Sequence, residues 1–248
     1  MTADRDLLAT AEAAAVRGWP AIETEAIHGW LARFASGGSV RANTVAALQF
    51  DGSSLDAAID AVEAFYRARG ALPRFTISDA SLPDGLDAVI AARGYTRSDD
   101  HVTMMKAVGT PPTTLLGVRG DDHPTPDWYA VYLQGLSENR RAMAPEIVER
   151  VPAPRRFFSC VKDGAVIGSG LSVLDGTVAS VQCMATLTAA RRSGAATSIL
   201  AAIERHAAAN GIRWLYLQTE SANHAAVALY TRAGFSIAGH YHTRDLDR

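Results

Sequence analysis

The 248-residue chain predicts an α/β fold built from two related halves, on three observations. Apolar residues alternate between short runs of strand length and longer runs recurring every three to four residues, the mark of strands interleaved with amphipathic helices. Two Asp-Gly pairs, Asp163-Gly164 and Asp175-Gly176, join consecutive apolar runs and are hairpin turns, because both central residues of such a turn need a left-handed backbone. The halves also repeat one order: a strand, a helix ending in glycine (Gly70, Gly211), a short strand, a helix ending in Arg-Gly-Tyr at 93–95 or Arg-Ala-Gly-Phe at 232–235, and a last strand.

In the first half, Leu7, Leu8, Ala11, Ala14 and Ala15 share one face of a helix over Arg5 to Arg17, with Asp4 as cap and Gly18, Trp19 and Pro20 closing it. Residues 25–34 and 40–50 read as strands of a hairpin turned at Ser36 to Ser39. Leu55, Ile59, Val62, Phe65 and Tyr66 define a second helix ending near Gly70, followed by a strand at 74–78, a helix at 86–92 and a strand at 101–108. The stretch 109–114, GTPPTT, is the linker, since its prolines cannot continue a ladder. The expected domains are therefore 1–109 and 110–248.

In the second half a strand at 115–119 precedes helices at 126–136 and 145–151, then strands at 156–162, 166–174 and 178–185 joined by the two Asp-Gly turns. Ile199, Leu200, Ile203, His206 and Ala207 form one face of a helix that stops at Asn210-Gly211; a strand at 214–219, a helix at 223–233 and a closing strand at 236–245 complete the chain. Between the strand at 178–185 and the following helix stands RRSGAA at 191–196, which sets arginines and backbone N–H groups at a helix start and so suits a diphosphate.

Composition bounds the function. With 24 basic and 26 acidic residues the net charge is −2, which argues against a nucleic-acid partner. Cys160 and Cys183 each sit in an apolar segment, and two such cysteines suit a reducing cytoplasm rather than a disulfide framework or a metal site. The N-terminal stretch is acidic where a signal peptide needs basic residues, and nowhere do eighteen apolar residues run without a charge, so the expectation is a cytoplasmic protein with no membrane partner.

Arg191, Arg192, Ser193, Gly194, Ala195 and Ala196 resemble the Arg/Gln-x-x-Gly-x-Gly/Ala cofactor loop of the GNAT acetyltransferase superfamily, and NHAAVALYTRAGF at 223–235 resembles its Asn-(x)-Ala-Leu-Tyr-x-x-x-Gly-Phe motif. The resemblance covers the second half from about Thr113. It implies two GNAT-like domains, each a mixed, mostly antiparallel twisted sheet flanked by helices, with 110–248 catalytic and 1–109 degenerate. It implies acetyl-CoA as cosubstrate and no metal, the pyrophosphate held by backbone N–H groups of Arg192 to Ala196, and the pantetheine arm beside Met184, Ala185 and Thr186. Tyr230 aligns with the family's general acid and Asn223 with a cofactor contact or helix cap.

The family's usual strand glutamate is missing: Val181, Gln182, Cys183 and Met184 offer no carboxylate, and Glu220 at the end of the next strand is the substitute. Cys183 reads as a small buried residue rather than a nucleophile, since no histidine is near in sequence. Glu138, Glu146 and Glu149, on or between the helices that the resemblance places on the acceptor side, are interleaved with Arg140, Arg141 and Arg150 and read as a solvated mixed-charge face, the alternative being a clamp for a cationic amine. The first half has Phe50 to Ser54 in place of the loop and Ile90 in place of the tyrosine, so it is not expected to bind CoA. The expected activity is transfer of acetyl to a primary amine of a small molecule, such as an aminoglycoside-type antibiotic and hence resistance to it, by a monomer or homodimer. The alternatives are a protein or peptide N-acetyltransferase and a non-catalytic acyl-CoA sensor.

Overall fold

The computed structural model describes residues 2–35, 38–113 and 116–246. The elements in order are α1 (Thr2–Gly18), β1 (Glu23–Ile27), β2 (Trp30–Phe34), β3 (Val45–Ala46), α2 (Leu55–Arg67), β4 (Arg74–Ser78), α3 (Leu86–Ala92), β5 (Tyr95–Ala107), β6 (Gly117–Asp121), α4 (Pro126–Gln134), α5 (Glu138–Arg150), β7 (Arg155–Lys162), β8 (Ala165–Asp175), β9 (Val178–Ser180), β10 (Gln182–Thr186), α6 (Ala195–Ala209), β11 (Trp214–Glu220), α7 (His224–Arg232) and β12 (Ser236–Leu246). They form two compact units, one of Met1–Thr103, Thr219–His224 and Ile237–Arg248, the other of Met104–Gln218 and Ala225–Ser236.

In the first unit β1, β2, β3, β4, β12 and β5 lie in that order. Pairings β1–β2, β2–β3 and β4–β12 are antiparallel and β3–β4 is parallel, so the sheet is mixed and mostly antiparallel. The closing strand of the chain thus pairs with the first half, Tyr241 opposite Ser78 through Asp245 opposite Arg74. Trp30, Ile59, Tyr66, Phe75 and Ile90 fill the core on the α2 and α3 side, and the Trp30 indole N–H donates to the Leu82 carbonyl at 2.9 Å.

The predicted hairpin lies elsewhere. Its turn is His28-Gly29, both left-handed (φ 50° and 86°), which joins β1 to β2 with Ile27 opposite Trp30. Ser36 and Gly37 of the expected turn lie outside the described residues. Residues 40–42 make a 3-10 turn, not a strand, because the Asn43 amide satisfies backbone groups locally: it donates to the Ser39 carbonyl at 2.9 Å and accepts from the Ala35 N–H at 2.8 Å.

In the second unit the order is β11, β9, β8, β7, β6, with β10 also on β8. All these pairings are antiparallel except β9–β11. The Asp163-Gly164 turn forms as expected, with both residues left-handed (φ 51° and 79°) between paired Lys162 and Ala165; at the second pair Asp175 is instead the last residue of β8, opposite Val178, and the turn is Gly176-Thr177 with Gly176 left-handed (φ 57°). Gly168 and Gly170 on β8 let α6 approach: a Cβ on Gly170 would stand 2.5 Å from Ile199 Cγ2. On α4, Trp128 is buried and its indole N–H donates to the Gly170 carbonyl at 2.9 Å.

Helix α5 begins at Glu138, seven residues before the proline expected to open it, and carries Pro145 inside. Arg141 accounts for the earlier start, since its guanidinium donates to the Leu133 and Leu136 carbonyls at 3.2 and 3.0 Å and ties the first turn of α5 to the end of α4. Strand β5 likewise starts at Tyr95, before the expected His101.

Candidate active site

The expected strand at 178–185 is two strands. β9 pairs in parallel with β11 from Val178–Trp214 to Ser180–Tyr216, and the last bond of this run is from the Val181 N–H to the Tyr216 carbonyl at 2.8 Å. Beyond it β10 pairs with β8, with a register shift between Gln182 and Ala185 and a left-handed Cys183 (φ 51°). A bulge of this kind inserts an unpaired residue and turns the strand. Met184, Ala185 and Thr186 therefore lie half-buried on a strand that has left its parallel neighbour.

From Thr186 the chain passes a 3-10 turn at Thr188–Ala190 into the start of α6. Arg192 (φ 66°) and Gly194 (φ 90°) are both left-handed, which folds the loop back over the helix start. Gly194 is the N-cap residue, no side chain caps α6, and its first turn carries no acid. The first-turn N–H groups and the positive end of the helix dipole are left for an anion. Ser193 adds a buried hydroxyl with no hydrogen-bond partner in the loop. The corresponding helix of the first unit differs: Ser54 Oγ caps α2 by accepting the Ala57 N–H at 3.3 Å, and Asp56 occupies its first turn.

A cleft of about 860 Å³ opens between the start of α6 and the face of α7. Thr186, Arg191, Arg192, Gly194, Ala195 and Ala196 line one side; Ala225, Ala226, Ala228, Leu229 and Arg232 line the other. An adjoining hollow of about 530 Å³ shares Thr197, Leu229 and Arg232 with it. The sequence placed Tyr230 of this helix at the site but not the Ala225, Ala226, Ala228, Leu229 and Arg232 lining, although the alanines of NHAAVAL, which leave room beside the loop, were the signal.

Tyr230 on α7 is 8% exposed, and burial pushes its phenol up to about 12. Its ring meets Phe235 at 6.0 Å. Glu220 and Asn223 are exposed, the Asn223 N–H donating to the Glu220 carbonyl at 3.0 Å, and both belong to the first unit. The structure thus brings the loop residues and the α7 face together within the second unit, whereas Glu220 and Asn223 belong to the stretch Thr219–His224.

Two further groups of the second unit bear on the chemistry. The Tyr129 hydroxyl on α4 donates to Glu149 Oε1 on α5 at 3.1 Å. Burial, then the Glu149 charge, push the phenol up, and Cys183 acts in the same direction. Cys160 is buried and its thiol is also pushed up, so it is not an activated nucleophile. Among the described residues no cluster of three or more His, Cys, Asp or Glu is placed to hold a metal, and no helix is long and apolar enough to cross a membrane.

A family model described as "Probable histone acetyltransferase Rv0428c C-terminal" matches residues 7–245. The "Uncharacterized N-acetyltransferase YobR" of Bacillus subtilis strain 168 is 30% identical over 241 residues, 94% of this chain and 96% of its own. In fold, the chain is similar to a GCN5-related N-acetyltransferase from Kribbella flavida, with TM-score 0.71 and 16% identity over 99% of this chain and 96% of that one. It is also similar to a tandem GNAT protein from the clavulanic acid biosynthesis pathway, with TM-score 0.65 and 17% identity over 83% and 75% of the two chains.

Proposed function

The chain belongs to the family described as probable histone acetyltransferase Rv0428c C-terminal and is a GNAT-superfamily N-acetyltransferase, and from that premise we propose that it moves acetyl from acetyl-CoA to a primary amine of a small molecule. The observation that carries the acetyl-CoA part of this reading is the helix start of α6, uncapped behind two left-handed residues at the mouth of the cleft. A pyrophosphate suits it: backbone N–H groups of Arg192 to Ala196 and the Ser193 hydroxyl supply donors, and Arg191 and Arg192 supply charge. Acetyl-CoA, when bound, supplies an activated thioester.

The chain's own residues then have these roles. The edge of β10 at Met184, Ala185 and Thr186, turned out of its parallel pairing, offers peptide groups to the amides of the pantetheine arm, and an N–H there stabilises charge on the acetyl oxygen during attack. Tyr230 holds a proton for the departing sulfur; with its phenol near 12 the resting side chain carries that proton across the working range. Asn223 is assigned a cofactor contact ahead of α7. No metal is assigned.

A second reading, a protein amine as acceptor, has one specific support, the family's own description as a probable histone acetyltransferase. The test measures CoA released from acetyl-CoA over a panel of spermidine, tobramycin and a short peptide with a free N-terminus and one lysine. Release with spermidine or tobramycin supports the small-molecule reading, and release with the peptide alone replaces it by the second. Tight acetyl-CoA binding with no amine-dependent release would leave a sensor.

A further inference from the structure

We propose that Glu149, held by the Tyr129 hydroxyl, is the carboxylate that receives the acceptor's ammonium and takes its proton, a role that rests on the transferase reading above. The strand leading to the cofactor loop has no acid of its own. Helix α4 packs on β8 and β10, fixed by the buried Trp128 through its bond to the Gly170 carbonyl. The next residue, Tyr129, is carried on this same helix beside β10. The Tyr129 hydroxyl donates to Glu149 Oε1 at 3.1 Å, which ties the exposed carboxylate of α5 to the helix that packs on the strand lacking one.

The geometry around Glu149 is that of a positioned acid. Arg155 on β7 donates to the Glu149 main-chain carbonyl at 3.0 Å and to the Val151 carbonyl, which fixes the end of α5 without pairing the carboxylate. On its own helix Arg150 pairs with Glu146 at 3.3 Å. Among the described residues Oε2 has no hydrogen-bond partner, and it stays open to an ammonium.

In the step assigned here Glu149 takes one proton from R–NH₃⁺. The nitrogen lone pair forms the N–C bond to the acetyl carbonyl carbon, and the C–S bond breaks with its electron pair on sulfur. The nitrogen loses a second proton as the amide forms, and the sulfur gains one from Tyr230, which solvent restores. The sum is an ammonium and an acetyl thioester giving an amide, a thiol and one proton.

The experiment compares the full chain with Glu149→Gln, Glu149→Asp, Tyr129→Phe and Glu220→Gln, using spermidine, tobramycin and the lysine peptide as acceptors, and follows acetyl-CoA affinity alongside. A positioned general base contributes about 100-fold or more. Glu149→Gln is expected to lose roughly that much in kcat/KM at pH 7 with acetyl-CoA affinity unchanged. Its residual rate should climb about tenfold per pH unit toward the pKa of the free amine, where the parent chain is flat. Glu149→Asp should recover part of the loss, and Tyr129→Phe should lose a smaller factor. The assignment is overturned if Glu149→Gln keeps the parent rate and pH profile, if its loss is confined to KM, or if the profile changes in Glu220→Gln instead. If the parent chain releases CoA with none of the acceptors, the transferase reading falls and takes the assignment with it.

Discussion

Replacing Glu12 by glutamine should remove a pH dependence of folding that this one carboxyl creates. Glu12 lies on α1 and is 5% exposed; Ser78 Oγ donates to its Oε2 at 2.5 Å, and Oε1 is buried with no partner. Burial pushes the carboxyl from its ordinary value of 4.5 up to about 7, opposed by the Ser78 bond and reinforced by Asp79. A carboxyl raised in the folded state keeps a proton that the unfolded chain has already released, so its contribution is full below pH 4.5 and is lost as pH rises through 7. The whole difference is about 3 kcal/mol, of which about 2.5 kcal/mol disappears between pH 5 and pH 8. Glutamine keeps an acceptor for Ser78 and cannot ionise. Urea denaturation at pH 5, 6, 7 and 8 should therefore show the parent chain losing about 2.5 kcal/mol more than Glu12→Gln across the range. Parallel curves would refute the reasoning.

Other substitutions probe the cleft and the core. Tyr230→Phe should lower kcat about tenfold or more with little change in acetyl-CoA affinity; because the phenol sits near 12, the rate profile below pH 10 should keep its shape. Gly194→Ala forces an alanine to φ 90° in open space, at a cost of about 1 kcal/mol, and should weaken acetyl-CoA binding about fivefold by isothermal calorimetry. Lys106→Met strips the partner, at 2.8 Å, from Glu204, which is 3% exposed. The remaining buried carboxylate keeps the Gly109 N–H at 3.0 Å, and the loss should be about 3 kcal/mol in urea denaturation, recovered in the Lys106→Met, Glu204→Leu double variant. Gly170→Ala pushes a methyl against Ile199 and Met184 and should lower stability by about 1 to 3 kcal/mol.

Much of the fold was legible because its signals are short. Strand β4 and helix α3 fall on the predicted residues, since Pro73 and Gly85 stand just outside them and the apolar spacing within them is regular. The Asp163-Gly164 turn forms because the left-handed backbone it needs is written in two adjacent residues, whereas at Asp175 strand pairing with Val178 moves the turn one residue on, to Gly176-Thr177. The His28-Gly29 turn was missed because a histidine seldom takes the left-handed region, and here Gly29 is fixed by close approach to Asp51, whose nitrogen would lie 3.0 Å from a Cβ. The early start of α5 was hidden by Pro145, a residue that ends helices unless contacts elsewhere hold the preceding turn.

The sequence by itself determined the element types, the RRSGAA loop and the alanine-rich motif around Tyr230, all properties of residues within a turn or two of one another. Tertiary structure decided which strands pair and where pairing stops. The return of β12 to the first-half sheet, the parting of β10 from β11 after Val181, and the meeting of Tyr129 with Glu149 across 20 residues each depend on partners distant in the chain. A period-two pattern names the face of a strand and not its neighbour. The carboxylate absent from the strand is supplied, in our proposal, from a helix whose sequence reads as an ordinary charged surface.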